Sequence, residues 1–165
     1  MSSKSGGAKK KRNETDRLIT ANRKARYNYT IESEVETGLV LTGTEVKSLR
    51  EGKSNLEQAY AGEKEGELFL YNAYIAEYEK GNRFNHRPRR ARKLLLHRRE
   101  LNRLIMATRR QGMTLAPLRL YFNEKGRVKL MLGLARGKKM QDKREREKER
   151  SWQRDKARLM RAKRL

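Results

Sequence analysis

Residues 118–134 read LRLYFNEKGRVKLMLGL. Leu118, Leu120 and Phe122 alternate along one arm, and Val128, Leu130, Leu132 and Leu134 along the other. This period-two pattern is that of strands with one buried face. Asn123–Gly126 between the arms are residue types that accept turn geometry, so the stretch predicts an antiparallel hairpin. Pro117 stands near the start of the first arm, where a missing N–H is tolerated.

Outward from this hairpin the chain continues to read as short strands. ELFLYNAYI, residues 67–75, predicts a strand from Leu68 to Ile75, entered through the turn-forming GEKEGE. YNYTI places Tyr27, Tyr29 and Ile31 on one face of a strand, and GLVLTG gives a short buried run from Leu39 to Leu41. Two helices interrupt the strands. TEVKSLREG has Val46 and Leu49 three apart and Gly52 as a stop signal. HRRELNRLIMATRRQG places Leu101, Leu104, Ile105 and Thr108 on one face, with Gly112 as its C-terminal cap and Arg109 and Arg110 suited to the negative end of the helix dipole. About six short strands with two helices predict a mainly β domain with accessory helices, an OB-like closed barrel that leaves a face free for nucleic acid.

The ends differ from the middle. Residues 1–16 form a basic arm expected to be disordered, and 17–136 the barrel domain. In residues 137–165, thirteen of 29 are Lys or Arg and five are Asp or Glu, which leaves too little apolar surface to fold alone.

The net charge of the 165 residues is +23, which attracts polyanions and opposes self-association. Nucleic acid is the expected partner, because phosphate neutralisation by Lys and Arg dominates such binding. No apolar run approaches the ~20 residues of a membrane span, the N-terminus lacks the apolar centre of a secretory signal, and no cysteine is present. These features predict a cytoplasmic protein without a membrane partner.

The case for an enzyme is poor. His86 and His97 belong to no ligand-spaced cluster, and no metal or cofactor is expected. GLARGKK falls short of a phosphate loop, with three residues between its glycines where four are needed and Lys139 where a hydroxyl belongs. The basic clusters say more. RPRRARK, Arg87 to Lys93, packs five bases into seven residues, a repulsive arrangement that a polyanion relieves. NRKARYNY, Asn22 to Tyr29, mixes bases with two tyrosines. Either the rings stack on RNA bases, or they are strand core and the polar residues before them make the contact. Glu36 reads as a surface acid at a strand end or as an acceptor for an exposed base edge. A ribosomal protein or a general RNA chaperone would explain charge, barrel and tails equally well.

NRKARYNY, ETGLVLTGTEVKSLREGKSNL, RKLLLHRREL, PLRLYF and GLARGKKMQDKRE with the later EKER, WQRDKAR segments occur in the order and spacing that resembles the SsrA-binding protein family, also called small protein B. The resemblance runs from about residue 20 to residue 160. It implies an OB-like barrel that binds the tRNA-like domain of transfer-messenger RNA and helps deliver it, as a monomer, to ribosomes stalled on messages without a stop codon. It also implies an RNA surface that includes Asn22, Glu36 and the segment Arg92, Lys93 to Leu96. The neighbouring bases Arg23, Lys24, Arg26, Lys47, Arg50, Arg89 and Arg90 complete the expected RNA-binding set. The family's tail is disordered when free, and becomes helical in the decoding centre and empty message channel, against small-subunit RNA. Gly137, Lys138, Lys139, Asp142, Lys143 and Arg144 match its start, and Trp152 its aromatic position. Drawn as a helix, Trp152, Leu159 and Met160 share one narrow face. One departure is Gln141, where the family often has His: an amide hydrogen-bonds but stacks weakly and carries no charge.

Overall fold

The computed structural model describes residues 16–81, 83–138 and 140–162. The expected basic arm, apart from Asp16, and Lys139 of the expected tail set lie outside the described residues. The protein is mainly β sheet with accessory helices. The strands are β1 (Arg17–Ala21), β2 (Tyr29–Leu39), β3 (Ser54–Asn55), β4 (Tyr60–Lys64), β5 (Glu67–Tyr71), β6 (Tyr74–Ile75), β7 (Arg92–Leu95), β8 (Thr114–Phe122) and β9 (Val128–Gly137). The helices are α1 (Arg23–Asn28), α2 (Gly43–Arg50), α3 (Arg98–Gln111) and α4 (Met140–Ala162). Seven strands form one antiparallel sheet in the order β1-β8-β4-β5-β7-β2-β9, and β9 also pairs with β8. β3 and β6 form a separate pair.

The expected β8–β9 hairpin is present, with Phe122 opposite Val128 and Asn123 Oδ1 accepting from the N–H groups of Lys125 and Arg127. Gly126 takes the positive φ, 71°, that the turn requires. Leu120, Phe122, Leu130, Leu132 and Leu134 enter the main core with Leu68, Leu70, Leu94 and, from α3, Leu101, Leu104 and Ile105. Leu118 does not share their face. The register shifts between Pro117 and Arg119, and the bulge turns Leu118 outward into a second small core with Ala25, Ala116 and Ala135. Gly133 makes room there, because a Cβ on it would stand 3.0 Å from Leu118 Cδ1 and 3.3 Å from Ile31 Cγ2.

This outer core exists to seat α1, which the alternation of Tyr27, Tyr29 and Ile31 concealed. Tyr27 lies in α1, not on a strand, and β2 begins only at Tyr29. The deciding residue is Asn22, whose Oδ1 accepts from Ala25 N at 3.1 Å as an N-cap. Two further expectations need correction. Leu39 ends β2, and Leu39–Leu41 is no buried run, since Val40 is 46% exposed at the entry to α2. The strand expected from Leu68 to Ile75 is broken at Asn72, whose φ of 59° ends β5 and starts β6. The turn before β5 is the two residues Glu65 and Gly66, both at positive φ, which matches the twist of a tight hairpin. α2 and α3 stand where the sequence puts them. Thr42 and Glu45 form a capping box on α2, and Gly112, left-handed at φ 61°, closes α3.

Candidate nucleic-acid interface

The expected contact residues fall into three groups. The first surrounds Glu36. Register pairing sets Gly38 of β2 opposite Leu95 of β7 and Leu39 opposite Leu94, so the strand that carries Glu36 neighbours the one that carries Lys93 and Leu95, with Leu96 just beyond its end. Glu36 is exposed, but its carboxylate is held: Tyr121 Oη donates to Oε2. Tyr121 is itself buried, and Arg119 lies over its ring with the guanidinium carbon 4.9 Å from the centroid. Burial, then the hydrogen bond to Glu36, push the phenol far above its ordinary value, so Tyr121 is a permanent donor. The other Glu36 oxygen has no partner among the described residues. A carboxylate fixed by one oxygen and open at the other can accept from an amino or imino edge of a base. Lys93 pairs with Glu67 at 2.8 Å while remaining accessible, and Leu96 is half-buried against the main core.

The second group is organised by Glu45 on α2, which helical spacing alone does not single out. Its side chain is fully buried. Arg90 donates to Oε1 at 2.8 Å and to Oε2 at 2.6 Å, Arg92 Nε donates to Oε1 at 2.7 Å, and Thr42 N donates to Oε2 at 2.9 Å. Burial works against the charged form, but the bonds from Arg90, Thr42 and Arg92 outweigh it and hold the carboxyl below its ordinary value. Arg92, expected on the RNA surface, reaches no solvent: it points inward from β7, and its guanidinium also donates to the carbonyls of Ala73, Arg90 and Pro88. The alternation of β7 explains this, with Arg92 and Leu94 inward and Lys93 and Leu95 outward. Arg90 is part-exposed beside it, and Arg89 donates to the Asn72 and Gln58 oxygens while lying 5.5 Å from the Tyr74 ring centroid. Lys47 and Arg50 are exposed on α2, Lys47 with its Nζ 5.6 Å from the Tyr78 ring centroid. His86 is a buried anchor here, with Nε2 3.0 Å from the carbonyl of Ile75 and Nδ1 2.9 Å from Thr44 Oγ1. His97 occupies the N-cap position of α3 without a side-chain capping bond.

The third group joins α1 to the tail. Asn22 is 7% exposed, and besides capping α1 its Nδ2 donates to the carbonyls of Leu56 and Pro117, both at 3.1 Å. Its polar atoms are thus largely engaged within the protein. Arg23, Lys24 and Arg26 are exposed, with Lys24 paired to Glu57 at 2.8 Å and Arg26 to Glu34 at 2.6 Å. At the other end of α1 the tail begins. Gly137 is the last residue of β9, opposite Tyr29, and nothing in the space around it demands glycine. Lys138 N donates to Asn28 O at 3.0 Å, and Lys138 Nζ to Arg26 O at 2.8 Å. Desolvation, then the positive charges of Arg146, Arg150 and Lys143, lower the Lys138 ammonium below its ordinary value. Lys143 reaches Asn28 Oδ1 at 3.3 Å, and Tyr27 Oη donates to Glu147, which raises the phenol. Beyond Glu147 no hydrogen bond from α4 returns to the body among the described residues. Gln141, Asp142 and Arg144 are exposed in its first turns. Trp152, Leu159 and Met160 are 62%, 66% and 61% exposed, and Lys156 Nζ lies 5.1 Å from the Trp152 ring. Among the described residues no metal-binding cluster occurs, and no helix is long and apolar enough to cross a membrane.

The family model described as SmpB protein matches residues 19–162. An SsrA-binding protein of Bradyrhizobium diazoefficiens is 61% identical over 146 residues, which cover 88% of this chain and 93% of the relative. An SsrA-binding protein of Parvibaculum lavamentivorans is 60% identical over 164 residues, 99% of either chain. Among solved structures, a chain described under "tmRNA-SmpB: a journey to the center of the bacterial ribosome" is 54% identical with a TM-score of 0.62, covering 73% of this chain and 85% of its own. The matches run over nearly the whole length, and the chain belongs to the SmpB family of SsrA-binding proteins.

Proposed function

We propose that this protein binds the tRNA-like domain of transfer-messenger RNA and delivers it, as a monomer in the bacterial cytoplasm, to ribosomes stalled on messages without a stop codon. The observation that carries this reading is that the Parvibaculum relative, an SsrA-binding protein, matches 99% of both chains, so that core and tail are shared together. The core acts as an OB-like closed barrel, a reading supported by the ladders that lead from β8 through β9, β2, β7, β5 and β4 back to β8. Glu36 accepts from a base edge while Lys93, Arg89, Arg90, Lys47 and Arg50 meet phosphates. Arg23, Lys24 and Arg26 extend the contact along α1. Asn22 and Arg92 contribute by holding α1 and β7 in place, and Leu96 by seating the end of β7. This assignment follows from their burial and from their hydrogen bonds within the protein.

The tail, 137–165, engages small-subunit RNA in the decoding centre and empty message channel. The distal helix offers Trp152, Leu159 and Met160 to solvent, and three apolar residues cannot offset the ordering entropy of so long a segment. In free protein the part beyond Glu147 is therefore loosely held, and a groove of phosphates and bases completes its helix. In the first turn, Gln141 supplies hydrogen bonds in place of the imidazole common in the family.

A competition experiment tests the reading. The full chain should prefer the tRNA-like domain over bulk tRNA by a factor on the order of 100 or more, equivalent to about 2.7 kcal/mol. Equal affinity for both RNAs would instead identify a general RNA chaperone or ribosomal protein.

A further inference from the structure

Between β6 and β7 the chain makes a loop that carries the most exposed large apolar side chain among the described residues. Phe84 is 92% exposed, against 62% for Trp152. The loop is built around it. Asn85 clamps the base by donating from Nδ2 to Tyr78 O at 2.8 Å and accepting from Tyr78 N at 3.3 Å, while Gly81 N donates to Tyr78 O at 2.8 Å. Gly81 has no room for a side chain, since a Cβ would stand 3.0 Å from both Asn85 Nδ2 and Tyr78 O. His86, next in sequence, is buried and tied to Ile75 and Thr44. The two residues after Phe84 thus fasten the loop, and Phe84 is left outside it.

The surroundings identify a ligand. From Lys80 to Lys93 the sequence carries seven Lys or Arg and no acid. Most of these bases are committed: Arg90 and Arg92 to Glu45, Lys93 to Glu67, and Arg89 to Asn72 and Gln58. Arg83 and Arg87 are exposed, and their side chains form no ion pair or hydrogen bond among the described residues. An exposed ring flanked in sequence by two uncommitted arginines suits a nucleotide: the ring face takes a base, and the guanidinium forks take the flanking phosphates. A lipid surface would call for several apolar side chains together, and a protein partner for a cluster with a polar rim; Phe84 stands alone.

We infer that Phe84, with Arg83 and Arg87, forms a stacking site for an unpaired RNA nucleotide, separate from the Glu36 surface. The inference rests on the RNA-binding reading above and adds a contact to it. The two sources of such a nucleotide are the tRNA-like domain and the small ribosomal subunit.

Phe84→Ala, Phe84→Leu and Phe84→Trp are compared in the full chain, the last with Trp152→Phe so that the introduced indole is the only one. Both RNAs serve as probes. Since Phe84 packs against nothing, all variants should melt as the parent does. Phe84→Ala and Phe84→Leu should each weaken binding to one of the two probes about tenfold or more, whereas the Phe84→Trp, Trp152→Phe pair binds as Trp152→Phe alone does and its fluorescence is quenched by that RNA. The Arg83→Ala, Arg87→Ala pair should lower the logarithmic salt slope on the same probe by about two. Parent-like binding of Phe84→Ala to both probes overturns the site. So does full affinity in Phe84→Leu, which would mean apolar burial without stacking, or a loss confined to anionic phospholipid vesicles. If the parent protein shows no preference for the tRNA-like domain, the transfer-messenger reading fails, and the Phe84 comparison is then decided on bulk tRNA.

Discussion

Arg92 Nε donates to Glu45 Oε1 at 2.7 Å, and neither side chain reaches solvent. Removing one partner strands the other charge in the core, which costs about 3–5 kcal/mol. Glu45→Gln should therefore lower the midpoint of urea unfolding strongly, while a surface control such as Glu149→Gln leaves it unchanged. The folded-state carboxyl lies below its ordinary value of 4.5, so its stabilising contribution is complete above that pH and is lost as pH falls through the lowered value. The acid-unfolding limb of Glu45→Gln should be correspondingly shallower. A parent-like melt of the variant would refute the role given to the pair.

The burial of Arg92 also separates it from its neighbour Lys93. Arg92→Ala should lose RNA affinity only as far as it loses stability, with the logarithmic salt slope unchanged. Lys93→Ala should keep its stability and lower that slope by about one. Salt titrations of the two variants provide the measurement; a lowered slope for a well-folded Arg92→Ala would show that the guanidinium emerges to meet phosphate.

Glu36→Ala removes a negative charge from a basic protein, so electrostatics alone predicts tighter RNA binding. A carboxylate oriented by Tyr121 toward a base edge predicts a loss of about 1–3 kcal/mol. Tyr121→Phe should show part of that loss, since Glu36 is then free to turn. Filter binding of both variants decides, with unchanged or tighter binding by folded Glu36→Ala counting against the contact.

Affinity of the full chain for the tRNA-like domain should fall roughly 10³- to 10⁵-fold between about 50 and 200 mM salt if six to ten phosphates are neutralised. A flat response would mean that the uncommitted bases do not meet the RNA.

The tail contacts make a sharper experiment possible than simple truncation. β9 runs to Gly137 and Lys138 still bonds Asn28, so the cut that spares the body falls after Lys138. That truncated chain should bind the tRNA-like domain normally and fail to support peptide tagging. In the full chain Trp152 is the only tryptophan, and its fluorescence anisotropy reports the tail. Tyr27→Phe removes the donor to Glu147 and should lower the anisotropy; an unchanged value would show that Tyr27 does not hold the tail.

Much of this architecture was legible because it obeys a period. The β8–β9 hairpin, α2 and α3 follow from alternation, from helical spacing and from the glycines that end them. What escaped did so for physical reasons. A six-residue helix is too short to show a period, and Tyr27, Tyr29 and Ile31 imitate a strand across its end; the signal is Asn22, whose side chain caps α1. The bulge after Pro117 reversed Leu118, which no pattern of hydrophobicity encodes. In RPRRARK the charges looked equivalent, yet pairing with Glu45, 45 and 47 residues upstream of Arg90 and Arg92, makes one buried and one part-exposed. Lys93 and Glu36, both on outward strand positions, were readable as surface groups, whereas the support of Glu36 by Tyr121 spans 85 residues and three strands.

Only two residues separate Gly137, the end of β9, from Met140, the start of α4. A helix turns about 100° per residue, so in a tail that is helical on the ribosome the number of residues between β9 and Trp152 sets the bearing of the indole as well as its reach. Trp152 is aimed as well as carried. Inserting one alanine after residue 139 would lengthen the reach by only about 1.5 Å yet swing the indole by about 100°, whereas four alanines would add about 6 Å and return it to within about 40° of its original heading. If bearing governs ribosome engagement, the single insertion should damage tagging more than the fourfold one, an inversion that a tail acting by length or charge alone cannot produce.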